Sequence, residues 1–267
     1  MQRRSVVGAL LASALWLGGT RVRAQPLPVD VASSLAPTGR LRVAINYGNA
    51  VLAQRDPATA KLSGVSVDIA EELGRRAGLP LTLVAFDAAG KVSAAATRDV
   101  WDVAFLAGDP ERAREIAFTA AYIVINGTYV VRKDVAWSSP GEIDREGVRI
   151  AVSGNSIYDL FLTRTLKHAT IVRAGSPPEA AAMFQSERLE ACAGVQTAML
   201  QLVATDPALR MIPEPFMQIR QAMGTPVGRP AGAAYLRAFV ESIKTDGFVQ
   251  KALVRNRQAD ATVAPPG

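Results

Sequence analysis

LRVAINYGNAVLAQRDPATAKLSGVSVDIAEELGRRAGLPLTLVAF, residues 41–86, alternates strand and helix signals. LRVAI at 41–45 is a short apolar, β-branched run and reads as a strand. A turn-rich segment follows, and then Val67, Ile69, Ala70, Leu73 and Ala77 recur at helical spacing behind Ser66, which is placed to cap them. LTLVAF at 81–86 returns to strand. Strand, helix, strand in this order is a βαβ unit, and such units build a mainly parallel sheet. VWDVAFLA at 100–107 and TYVVRK at 128–133 continue the series. It restarts with VRIAVSG at 148–154, a helix from Ser156 to Lys167, a strand near Ile171, a helix from Pro178 to Leu189, and ACAGV at 191–195. Two similar series imply an α/β protein of two lobes. After Gly224 two further helices are expected, over Ala231 to Ser242 and Gly247 to Val254, followed by a disordered tail at 259–267.

The first residues are set apart from this pattern. Arg3 and Arg4, an apolar run from Val6 to Leu17, and Val22-Arg23-Ala24 form a positive start, a hydrophobic core and a small-x-small cleavage pattern, so residues 1–24 read as an export signal cut after Ala24. The apolar run is below the roughly 20 residues that span a bilayer. Cleavage leaves 243 of the 267 residues and removes four arginines, which brings the formal net charge from +6 to +2. With no Lys/Arg block, that charge gives no case for nucleic acid or a membrane surface. Cys192 is the only cysteine and His168 the only histidine. An intrachain disulfide is therefore impossible, a Cys/His zinc site is disfavoured, and no cofactor or metal is expected. Cys192 is also far from the mature N-terminus, so a lipid anchor is not expected, and in ACAGV it reads as a buried thiol. The expected product is a free, periplasmic monomer.

In order, the export signal, GRLRVAI, LSGVSVDIAEELGRRAGL, WDVAFLAGDPERAREIAFTAAY, GTYVVRKD and GVRIAVSGNS resemble bacterial extracellular solute-binding proteins of family 3, the polar amino-acid-binding group. The resemblance covers about residues 38–258. It implies the two-lobed periplasmic binding protein fold of type II, two mainly parallel sheets joined by two crossing strands near Thr128–Arg132 and Ile219–Met223. Lobe 1 would comprise 38–128 and 223–258, and lobe 2 would comprise 129–222, with a ligand in the cleft between them. The implied partner is an ABC permease, with a sensor kinase as the less usual one. Secreted cyclohexadienyl (prephenate/arogenate) dehydratases resemble the same fold, and they are the enzymatic alternative to the non-enzymatic reading.

Asp109 and Pro110 suit the cap and first position of a helix, and the guanidinium of Arg112 is a planar fork matched to a carboxylate. From the residues alone Arg112 reads first as a surface arginine paired with Glu115; the resemblance, which puts a carboxylate-binding arginine here, turns it towards a ligand. Gly154, Asn155 and Ser156 open a helix after a strand, where backbone and hydroxyl can grip the same carboxylate. Ser156 and Asp159 also form a capping box, so the serine has a structural task as well. Asn46 and Tyr47 sit in the early loop, where asparagine forms turns as readily as it binds. Tyr122 is expected to pack near the hinge, Asn126-Gly127-Thr128 to form a turn, and His168 to lie at a helix end.

Departures from the family pattern carry information of their own. The loop before Arg112 is about two residues shorter than usual, with Ala107 and Gly108 in place of a hydroxyl residue. The family's aspartate for the ligand's α-ammonium is replaced by Val195 and Gln196. The ligand then either lacks that ammonium or finds Asp109 or Glu214 instead. The expected ligand is a small carboxylate, an amino acid or a related organic acid, held by Arg112, Ser156, Asn155, Gly154, Asp109, Ala107, Tyr47, Asn46 and Gln196.

Overall fold

Val103–Ala107 is buried along its whole length, as a strand covered on both faces of a parallel sheet has to be. This is β5 of a computed structural model that describes residues 27–267; the export signal expected at 1–24 lies outside the described residues. In the first half, β1 (Leu41–Asn46) pairs in parallel with β4 (Leu81–Phe86) and with β5, while the short β2 (Gln54–Arg55) and β3 (Leu62–Ser63) form a separate hairpin. In the second half, β7 (Arg149–Ser153) lies parallel to β8 (Thr170–Ala174) and to β9 (Ala191–Val195). Two long antiparallel strands, β6 (Ile116–Arg132) and β11 (Met217–Pro226), connect the halves. The result is an α/β fold of two lobes whose strands hydrogen-bond in the unbroken order β4-β1-β5-β11-β6-β9-β7-β8, where two separate sheets were expected. The short β10 (Leu209–Met211) and β12 (Thr262–Val263) add to β6.

Helices cover these strands where apolar residues recur at helical spacing. α1 (Val29–Leu35) packs on α7 (Pro230–Thr245), and α2 (Val65–Ala77) packs on α8 (Phe248–Arg255). In α2 the spacing of Val65, Ile69 and Leu73 puts one fully buried face on the core. Its N-cap is Gly64 and not Ser66. A side chain at 64, where φ is +121°, would run into the Leu52 carbonyl, whereas Ser66 is buried inside the first turn with its hydroxyl 3.4 Å from that of Tyr122. Three second-half helices follow: α4 (Ile157–Thr165), α5 (Pro177–Ser186) and α6 (Gln196–Thr205). The last of these was not foreseen. The first half has a shorter one, α3 (Ala89–Ala94).

Several local expectations give way to a single cause, the length of β6. Asn126-Gly127-Thr128 is continuous strand, not a turn; a β-carbon at Gly127 would meet Met217 at 2.9 Å, and the Thr128 hydroxyl donates to the Ile212 carbonyl at 2.8 Å. Gly127–Val131 pairs with β9, while β11 flanks the strand from Ile116 to Gly127. The tail expected to be disordered is ordered at 261–264: β12 pairs with Ile123 and Val124, and the Ala264 N–H donates to Tyr122 at 3.1 Å. Tyr122 itself is fully buried, edge-on to Phe105 with ring centroids 5.7 Å apart. No helix among the described residues is long and apolar enough to cross a membrane.

Candidate functional site

Between the halves lies a cavity of about 520 Å³, bounded by the C-terminal ends of β1, β5, β7 and β9, by the first residues of α4 and by the inward faces of α5 and α6. This is where open α/β sheets leave a crevice, since each strand ends at a surface and the following helix begins there. Its walls mix apolar groups (Phe105, Ile157, Met199, Leu202) with neutral polar ones (Ser153, Ser176, Gln185, Gln221).

Among the described residues Arg112 is the cation that lines it. The DPER segment forms one tight turn, with the Asp109 carboxylate accepting the Glu111 N–H at 2.9 Å, and then a three-residue 3₁₀ helix, Arg112–Arg114. The turn sends Arg112 inward, to 5% exposure, and leaves Glu115 exposed without pairing to it. One terminal nitrogen, Nη1, donates to the Ala107 carbonyl at 2.9 Å, and Nη2 donates to the Asn155 carbonyl at 2.8 Å. Nε is buried and has no partner. A guanidinium has five N–H donors, so those two bonds fix its plane and leave the others for something else. Burial pushes the group down to about 10 against the opposing pull of Asp109, so Arg112 stays charged at neutral pH.

Of the residues singled out in the sequence, Arg112, Ser156, Ala107, Tyr47 and Asn46 line the cavity. Ser156 is 4% exposed and caps α4, accepting from the Asp159 N–H at 3.1 Å. The Asn46 carboxamide oxygen accepts the Gly48 N–H at 3.1 Å, and Tyr47 packs under the Arg55 guanidinium. Gly154, Asn155, Asp109 and Gln196 stand behind the wall. Gly154 and Asn155 bend the chain between β7 and α4, and the Asn155 N–H donates to Asp159 at 2.7 Å. Asp109 is buried and takes Arg164 from α4 at 2.8 Å, so it is spoken for. Gln196 accepts from the Asn126 amide at 3.0 Å. Glu214 is exposed and away from the cavity.

Sequence reading passed over Phe105, Ile157, Tyr158, Ser176, Met199 and Gln221, which all line the cavity. Met199, Leu202 and Val203 in QTAMLQLVAT carry the i, i+3, i+4 signal that would have found α6 and its share of the wall. Ser176 followed by two prolines is a helix-start signal of equal clarity. Tyr158 is buried beside Ser156, and burial pushes its phenol up, so it stays protonated at neutral pH. Among the described residues no cluster of His, Cys, Asp and Glu could hold a metal ion.

Solved structures share this architecture. The chain is similar to an ArgBP mutant from T. maritima, with TM-score 0.72, 18% identity, and 84% of this chain and 98% of that chain covered. It is similar to the solute receptor for L-cysteine of Neisseria gonorrhoeae, with TM-score 0.74, 16% identity and coverage of 85% and 93%. An ancestral amino acid-binding protein, described as a precursor of cyclohexadienyl dehydratase, matches with TM-score 0.70, 19% identity and coverage of 84% and 98%. At these identities the likeness is one of fold. No curated protein matches the sequence. The signature of the bacterial extracellular solute-binding proteins, family 3, matches residues 41–256, and the chain belongs to that family.

Proposed function

We propose that the protein captures a small carboxylate-bearing solute between its lobes, taken as 38–128 with 223–258 and as 129–222, and delivers it to an ABC-type permease after export through a leader at 1–24. The observation that carries this reading is Arg112, a buried cation on the cavity wall whose Nε has no partner. Asp109 is bonded to Arg164 and not to this group; a charge withdrawn from water without a bonded counterion is costly, and a carboxylate offers both the charge and the paired acceptors that the fork fits. Ser156, one residue beyond the Asn155 carbonyl that holds Arg112, lines the same cavity from the second half and supports a grip by both lobes. Hinge closure on the solute is then driven by contacts that need both lobes at once.

The enzymatic reading needs an acid of raised pKa facing the solute. Among the described residues Asp87 is the acid lining the cavity, and it is paired with Lys91 at 2.7 Å, which favours a binder over a dehydratase. Isothermal titration with carboxylates decides the matter. Arg112→Ala is expected to weaken binding of any carboxylate ligand about 100-fold or more, and Arg112→Lys, which keeps the charge and loses the fork, by roughly tenfold. Unchanged affinity in Arg112→Ala removes the proposed site; turnover of prephenate or arogenate by the purified protein removes the non-enzymatic reading.

A further inference from the structure

The charge distribution around the cavity goes beyond the presence of a carboxylate anchor and bears on what else the solute can carry. Arg112 supplies a buried positive charge, and two helices of 9 and 10 residues begin on the cavity wall, at Ile157 and Pro177, while α6 adds a side face from Ala198 onward. Helix N-termini carry partial positive charge and free N–H groups. In α6 the N-cap is Val195, which lines the cavity and offers no side-chain acceptor to its own first turn. On the negative side stands Asp87 alone among the described residues of the wall, and it is more than a third exposed and already paired with Lys91 at 2.7 Å. Asp109 is held by Arg164, and Glu214 is exposed and distant from the wall. An ammonium group on the solute would therefore enter a positive field and shed its water with no anion to receive it. Phe105, Ile157, Val195, Ala198, Met199 and Leu202 give the wall an apolar portion that rewards a hydrocarbon body, and the polar groups beside them, such as Ser153, Ser176 and Gln221, are uncharged.

We infer that the solute is an apolar organic acid lacking an α-amine, a desamino counterpart of an amino acid with a hydrocarbon side chain. This inference rests on the carboxylate-capture reading and deepens it. Val195 is the position where the selection is made. An aspartate there would be a favoured N-cap for α6 and would put a carboxylate on the cavity wall.

Matched pairs that differ only in the amine test it: 3-phenylpropanoate against phenylalanine, 4-methylpentanoate against leucine, and further pairs from short to ring-bearing skeletons, titrated into the full chain by calorimetry. At least one desamino acid is expected to bind tenfold or more tightly than its amino acid, with binding lost in Arg112→Ala. Val195→Asp is expected to move the ratio towards the amine by tenfold or more, while Val195→Asn, of similar size and uncharged, leaves it in place. Amino acids that bind as tightly as their desamino partners, with the same dependence on Arg112, overturn this inference and leave carboxylate capture standing. Binding of either partner that ignores Arg112, or no binding by any pair, overturns both.

Discussion

Arg112 and Cys192 are both removed from water, and burial acts on them in the same direction, against the charged form. For Arg112 the consequence is a poised binding group, because its ordinary pKa is so high that a fall to about 10 leaves the cation intact. For Cys192 burial raises the thiol to about 12, leaving almost no thiolate at neutral pH. Its position explains why. Cys192 is 1% exposed on β9, one residue before the cavity-lining Ala193, so it turns to the opposite face of the strand and packs with Phe184, Leu189 and Leu209. A thiol reagent such as Ellman's at pH 8 is therefore expected to leave the native protein unlabelled and to titrate Cys192 fully in denaturant. Labelling of the native chain on the timescale of mixing contradicts that packing. The residue scale was also where the sequence was hardest to read. Arg112 has the same neighbours in the sequence whether it faces solvent or the cavity, and the choice is made by Ala107 and Asn155, the latter 43 positions away.

At the level of elements, α2 shows how one helix is tied to the chain's last helices. Glu72 binds Arg75 at 2.7 Å and Arg76 at 2.6 Å, and Arg76 reaches Asp246, just past the end of α7, at 2.6 Å. The Arg75 hydrogen bond foremost, helped by Arg76 and opposed by partial burial, holds the Glu72 carboxyl at about 2. The folded value is thus depressed below the usual value of ~4.3, so the stabilisation is complete above that pH and is lost as pH falls towards 2. Glu72→Gln is expected to cost about 1–2 kcal/mol at pH 7, a figure that allows for solvent screening of the pair, and the gap from the parent should narrow as pH drops below about 4.5. Urea unfolding at a series of pH values measures it, and a gap that stays constant uncouples the cluster from folding. Elements such as α2 and β5 were legible because their apolar spacing coincides with their burial. β6 was not, because Asn126-Gly127 is a strong local turn signal overridden by pairing with β11 and β9, neither of which is near it in the chain. The same holds for residues 261–264, whose order comes from pairing with β6 rather than from their own propensity.

For the whole molecule, the lobes meet at a point where a glycine is required. In α3, Gly90 packs directly on the bend before α4, and a β-carbon at 90 would lie 2.6 Å from the Gly154 carbonyl oxygen and 2.9 Å from the Asn155 β-carbon. Two further contacts join the lobes nearby, Arg112 to the Asn155 carbonyl and Asp109 to Arg164, both at 2.8 Å. Together they describe a closed arrangement in which the loop at 154–155 is gripped from the first half. Within α3 alone, alanine would be the better residue, because glycine costs a helix about 1 kcal/mol relative to alanine. The two demands oppose each other, and that opposition makes the closure testable. Gly90→Ala is expected to hold or slightly raise the melting temperature of the solute-free protein while weakening solute binding tenfold or more, since the added carbon obstructs only the closed form. Gly90→Val should widen that loss and keep the radius of gyration, measured by small-angle scattering at saturating solute, at its solute-free value. If Gly90→Ala binds as the parent does, the lobes close on the solute through some other contact, and the approach of α3 to residues 154–155 has no part in capture.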